Sequence, residues 1–174
     1  MNLKNDAGRS LMELLLYLGI TFGLTAGVLK MYSESVDKTN MLKLDTQISD
    51  IVEKVNLYYL GRDYPNNVHD LNSVMKKNLG SEINFYDPWG GEIIVTARNS
   101  DTLGVGIDKA HMDLQVSNLD QKKCIDVANK FTEKGAVYLL INSQKAEFNV
   151  SDIADLCSSK SSDDNVVQGF FLKE

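Results

Sequence analysis

The chain has 174 residues, 24 acidic against 18 basic side chains, a formal net charge of −6 and 43% apolar residues. That length predicts about one domain. The acidic balance excludes a nucleic-acid or anionic-lipid binder working through a basic surface, so no nucleic-acid partner is expected.

The apolar residues are unevenly placed. Thirteen of the 19 positions from Leu11 to Leu29 are apolar, and Glu13 is the only formal charge among them. As a helix rising ~1.5 Å per residue this segment spans roughly 28 Å, close to a hydrocarbon core of about 30 Å. Lys4 and Arg9 precede it, opposed by Asp6, and Lys30, Glu34, Asp37 and Lys38 follow. The positive-inside rule therefore favours a cytoplasmic N-terminus. Three readings fit: a cleaved signal peptide with Thr25-Ala26-Gly27 as a loose cleavage site, a plain anchor, or a helix specialised for assembly. Glu13 inside the apolar run and a helical pattern continuing past Leu29 oppose the first.

A carboxylate near the end of an anchor can reach the headgroups, whereas mid-bilayer a charge costs about 3 kcal/mol. Such a group tends to find a partner, and an amine from a neighbouring copy would serve. Gly19, Gly23 and Gly27 fall four apart on one face and permit close approach of a second helix. They also weaken the helix by roughly 1 kcal/mol each relative to Ala, so local bending or unwinding fits the segment.

The helical pattern continues through Leu44, Ile48, Ile51, Val52, Val55, Tyr58 and Tyr59, with Lys43, Asp45, Asp50, Glu53 and Lys54 on other faces. Gly61 and then Pro65 close it. A helix over about residues 10–60 would be roughly 75 Å long. Beyond it, a short helix is predicted over about Val68 to Leu79. The turn cluster Asp87-Pro88-Trp89-Gly90-Gly91 leads to a strand over Glu92 to Ala97, with further strands over Thr102 to Ile107 and His111 to Val116. In the last of these His111 alternates out of phase with Met112 and Leu114 and is expected to be exposed. Leu119 to Lys134 reads as a helix capped by Asn118 or Asp120 and stopped at Gly135. Ala136 to Ile141 reads as a buried strand, Ala146 to Phe148 as a short strand, Ser151 to Cys157 as a short helix capped by Ser151, and Val166 to Leu172 as the last strand. Ser158 to Asp164 is a low-complexity loop. Runs of helices and antiparallel strands predict an α+β head.

Cys124 and Cys157 lack an activating neighbour and the extra ligands a metal site needs, and His69 and His111 stand in unrelated contexts. If the domain is exported, one disulfide is the economical reading; the alternative is two buried thiols. No Walker lysine loop, HExxH, GxSxG or dinucleotide fingerprint occurs; Gly104-Val105-Gly106 lacks the third glycine. The expectation is a protein with no catalytic residues, no metal and no cofactor: not an enzyme.

The order of these features resembles the type IV pilins. Gly8-Arg9-Ser10-Leu11-Met12-Glu13 is similar to their processing site, a glycine ending a short leader with a glutamate five residues beyond. Tyr64-Pro65 after the long helix and Asp87-Pro88-Trp89-Gly90-Gly91 before the first strand resemble pilin and pseudopilin heads. Leu119-Asp120-Gln121-Lys122-Lys123-Cys124, followed by Cys157 and a C-terminal strand, is similar to type IVb pilins of the bundle-forming type.

The resemblance implies a pilin fold: a long N-terminal helix, transmembrane then amphipathic, packed on an antiparallel sheet. Residues 1–8 would be the prepilin leader, 9–30 the membrane and assembly half of the helix, and 31–174 the periplasmic head. A prepilin peptidase would cut between Gly8 and Arg9 and methylate the new amine. Glu13 would pair with the amine of a neighbouring subunit. Cys124 and Cys157 would form the disulfide framing the variable surface. The implied partners are other copies in a helical filament or other pilins, the inner membrane before assembly, and an inner-membrane assembly platform; the implied location is the inner membrane of a Gram-negative bacterium and then the extracellular fibre. Two departures stand out: Arg9 where the family usually begins its mature chain with an apolar residue, and a leader whose Lys4 is balanced by Asp6. They leave open a minor pilin beside the major one; within the same architecture the alternative is a pseudopilin of a type II secretion-like system. From a different class, a membrane-anchored periplasmic binding domain that never polymerises is the alternative.

Overall fold

The computed structural model describes residues 3–64, 69–79, 83–99, 110–160 and 164–173, with side chains from residue 11 onward except those of His69 and Leu79. It divides into two compact units, residues 1–40 and 41–174. The first is wholly helical in its described part. Helix α1 runs Leu3–Tyr58, so it starts well before residue 10 and supplies its last 18 residues to the second unit. Its end follows from Gly61, whose φ of +70° suits the left-handed turn that closes a helix.

The second unit is an α+β domain. Strands β1 (His69–Asp70), β2 (Ile94–Arg98), β3 (His111–Leu119), β4 (Tyr138–Ile141), β5 (Gln144–Lys145) and β6 (Asn165–Leu172) form one antiparallel sheet in the order β1-β2-β3-β6-β4-β5. Both edge strands are two residues long, which leaves little unpaired backbone for a stray strand to add to. Helices α2 (Leu71–Leu79), α3 (Gln121–Glu133) and α4 (Val150–Ser158) complete the domain. Leu44, Ile48, Ile51 and Val55, the inward stripe of α1, are fully buried and join one core cluster with Val95, Met112, Leu114, Val167 and Phe171 of the sheet and Val127 and Phe131 of α3. Each such side chain contributes about 1.5–3 kcal/mol by leaving water. At the centre a Cβ on Gly169 would meet the Phe131 ring at 2.7 Å, so β6 carries glycine where α3 crosses closest.

Several boundaries differ from the expectations, each for a local reason. Residues 69–70 pair with Ala97 and Thr96 instead of beginning α2, and the Asp70 carboxylate accepts from Asn72 N at 2.9 Å, turning the chain into the helix. Strand β3 runs on to Leu119 with a register shift after Val116 and φ +60° at Asn118, which leaves Asp120 as the N-cap of α3. The strand expected at Ala146 to Phe148 lies earlier. Asn142 and Ser143, at φ +54° and +67°, make a two-residue turn that pairs Gln144 with Ile141 directly after β4. Helix α4 is capped by Asn149, not Ser151: the Asn149 side chain accepts from Asp152 N at 2.9 Å. The strand expected at Thr102 to Ile107, with Gly104-Val105-Gly106, lies outside the described residues, as do Pro65 and part of the 158–164 loop.

His111 is the largest correction. It is fully buried, opposite Arg98 of β2 and Leu172 of β6, with its ring 5.7 Å from that of Phe170. Arg98, Asp113 and Phe170 on the same face are also buried. Around His111 the polar phase of this strand is covered too, which alternation alone does not predict.

Candidate functional site

Three groups of residues were singled out by the sequence: the Gly8-Arg9 junction, the apolar helix with Glu13 and its glycines, and the cysteine pair. The backbone of Gly8 and Arg9 is helical within α1; the side chain of Arg9 is not among the described ones.

From Leu11 to Leu29 every side chain is exposed, including Leu11, Leu14, Leu15, Leu16, Ile20, Phe22 and Leu24. The most apolar 18-residue window of the helix has a mean hydropathy of 1.7 and no buried residue, so α1 is long and apolar enough to cross a membrane. Its two threonine hydroxyls are satisfied internally. Thr21 Oγ1 donates to Tyr17 O at 2.7 Å and Thr25 Oγ1 to Thr21 O at 2.6 Å, so both hydroxyls can enter an apolar medium without an orphaned donor. Around Gly19, Gly23 and Gly27 nothing else lies within 4 Å of where a Cβ would stand, leaving that face open to a second helix. Glu13, also exposed, is the one carboxylate of this stretch.

The second group is in the 41–174 unit. Asp120 caps α3: its carboxylate accepts from Lys123 N at 2.8 Å and pairs with Lys123 Nζ at 2.7 Å. Burial alone would push its pKa up, but these bonds from Lys123 and the Lys122 N–H outweigh it and hold Asp120 below the ordinary carboxylate range. One turn into the helix, Cys124 is bonded to Cys157 in the last turn of α4, with Cα atoms 5.8 Å apart and both residues fully buried. The bridge closes a 33-residue separation and staples α3 to α4. Lys123 also sets its ammonium 5.5 Å from the centroid of the Trp89 ring. Trp89 belongs to the Asp87–Gly91 turn, in which the Asp87 carboxylate accepts from Trp89 N at 2.8 Å and Gly91 N at 3.0 Å. A Cβ on Gly91 would fall 2.5 Å from that carboxylate and displace it, and Gly90 has φ +90°, where another side chain would be strained. The turn cluster and the start of α3, read separately in the sequence, therefore meet.

One polar group escaped sequence reading. On the sheet face opposite the core cluster, Asp113 Oδ2 accepts from Gln168 Nε2 at 2.6 Å and Oδ1 from the Thr96 hydroxyl, with Arg98 Nε 3.6 Å from that same Oδ1. The signal was present as Thr96, Arg98, His111 and Asp113 in one alternation phase of two strands. Only the register of Thr96 with Asp113 and Arg98 with His111 makes it a cluster.

No family model matches the sequence, and no curated protein does. Among solved structures, the crystal structure of a type IV b pilin from Salmonella typhi is similar with a TM-score of 0.40 and 16% sequence identity. The match covers 51% of this chain and 61% of that one, so it spans less than two thirds of the pilin's length.

Proposed function

We propose that this protein is a structural subunit of a type IV pilus of the type IVb kind, made as a membrane-anchored prepilin and polymerised through the N-terminal half of α1. The observation that carries this reading is the Leu11–Leu29 helix face: apolar, with both threonine hydroxyls bonded to its own backbone, open at its glycines, and bearing one carboxylate. A simple anchor needs the first two properties. The glycine face and Glu13 add what packing against further copies requires: close approach, and a charge that demands a partner once water is gone.

In this reading residues 1–8 are a leader removed by prepilin peptidase between Gly8 and Arg9, residues 9–30 anchor the subunit in the inner membrane and later form the filament core, and residues 31–174 carry the periplasmic head. Assembly moves the helix from lipid to a bundle of like helices at an inner-membrane platform. Its apolar surface stays out of water throughout. Glu13 accepts the methylated amine of a neighbour, so two charges enter the filament centre as a pair. The disulfide holds the α3–α4 surface, where adhesion or lateral contacts would be made. Arg9, a charged first residue, favours a minor pilin as the second reading, since an extra cation at the mature terminus suits a position with fewer apolar neighbours.

Mass spectrometry of the mature N-terminus tests the reading directly. A chain beginning at methylated Arg9 is expected; an intact leader, or a cut after Ala26 or Gly27, overturns it. Glu13→Ala is expected to be processed normally yet to be lost from filaments, and equal filament yield would remove Glu13 from the mechanism.

A further inference from the structure

Of the 15 asparagines, only Asn149 is followed two positions on by Ser or Thr, in Glu147-Phe148-Asn149-Val150-Ser151. Asn-x-Ser with x other than proline is the acceptor sequence of N-glycosylation, and Val150 satisfies it. Glu147, two positions earlier, adds the acidic residue that distinguishes the bacterial form of the acceptor. We infer that Asn149 is a site of N-linked glycosylation, its donor an oligosaccharide carried on a polyprenyl diphosphate. This inference rests on the reading that the head is exported, because such a donor is used on the exported side of the membrane.

The structure places this sequence where a transferase can reach it and where a sugar would do physical work. Glu147, Asn149 and Ser151 are all exposed, at the corner between the β4–β5 hairpin and α4. Asn149 has extended backbone, φ −136° and ψ +148°, and caps α4 through its carbonyl oxygen alone, which accepts from Asp152 N at 2.9 Å. The amide nitrogen Nδ2 donates to no other described residue. Carbonyl and nitrogen are thus divided between two tasks: Oδ1 holds the helix, and Nδ2 faces solvent. In the transfer, Nδ2 forms a bond to the anomeric carbon of the first sugar while that carbon's bond to the diphosphate oxygen breaks. The polyprenyl diphosphate leaves, and one Nδ2 proton passes to a base of the transferase. Afterwards Oδ1 can still accept from Asp152 N, so the cap survives the modification.

The two side chains flanking the acceptor are apolar and exposed. Phe148 is 47% and Val150 68% exposed. A glycan on Asn149 would stand between them and shield both from water, giving two exposed apolar residues next to the only acceptor sequence a common explanation.

The experiment uses the full chain purified from the membranes or filaments of its own cells. After reduction and alkylation, the tryptic peptide Ala146–Lys160 is expected to carry an oligosaccharide mass on Asn149. The mass should be lost completely in Ser151→Ala, which keeps Asn149 and its cap, and retained in Ser151→Thr, which keeps a hydroxyl; Asn149→Gln should lose it too. An unmodified peptide in a chain that has lost its leader and formed the Cys124–Cys157 bond overturns the inference while leaving the pilin reading standing. An unprocessed chain with free thiols overturns both. Sugar attached to Ser151 instead of Asn149 also overturns it.

Discussion

The two halves of α1 use the same kind of residue for opposite ends. In residues 41–58 the apolar side chains other than Leu42 and Leu57 fall in one stripe, and Leu44, Ile48, Ile51 and Val55 disappear completely into the core. In residues 11–29 they surround the helix and none is buried. Hydrophobic patterning therefore separates a surface already matched within the chain from one that needs lipid or other helices. The first kind contributes to folding; the second contributes to where the protein resides and what it joins.

The largest test of that division is a matched pair of charges. Ile48→Asp places an unpartnered carboxylate in the core and is expected to cost about 4 kcal/mol or more, unfolding the head at ordinary temperature as followed by circular dichroism in detergent. Leu18→Asp should leave the head's melting temperature unchanged while impairing membrane insertion by about 3 kcal/mol, read as release of the chain from washed membranes. A parallel loss of head stability in Leu18→Asp would break the comparison.

A smaller effect is expected from Cys124→Ser with Cys157→Ser. Opening a 33-residue loop should lower head stability by about 3–4 kcal/mol in denaturant titrations, with membrane association of residues 11–29 untouched. A loss of anchoring in that variant would mean that the disulfide serves more than the head.

The smallest contrast compares two glycines. Gly169→Ala must displace the Phe131 ring and is expected to cost about 1–3 kcal/mol in the head. Gly23→Ala meets nothing within 4 Å and should gain up to about 1 kcal/mol of helix propensity, visible as increased helicity in detergent. If Gly23→Ala also blocks filament formation, the open glycine face is sharpened from a permissive gap to a packing surface.

Elements of strong period were legible from residues alone: the apolar stretch, the inward stripe of α1, α3 with its stop at Gly135, and the last strand. Short elements were not. The Ala146 to Phe148 strand was displaced because the positive-φ turn at Asn142 and Ser143 sets where β5 pairs, and Ser143, unlike Asn142, gives no sign of that conformation. Ser151 was passed over as a cap in favour of Asn149, two positions earlier, because capping depends on where the backbone leaves the extended state.

In the candidate site the same limit holds. Composition and spacing were sufficient to mark the exposed helix, since a run of apolar residues with one carboxylate is a local property. The cysteines stayed open between a bond and two thiols until the packing of α3 and α4 brought their Cα atoms to 5.8 Å. His111 and Asp113 passed for a solvated phase of a strand, because alternation says which residues share a face and nothing about what covers it. Both are buried where the register of β2, β3 and β6 sets Arg98 and Phe170 beside them. Periodicity is written along the chain, whereas coverage depends on contacts between residues far apart in it, and those exist only once the sheet has formed.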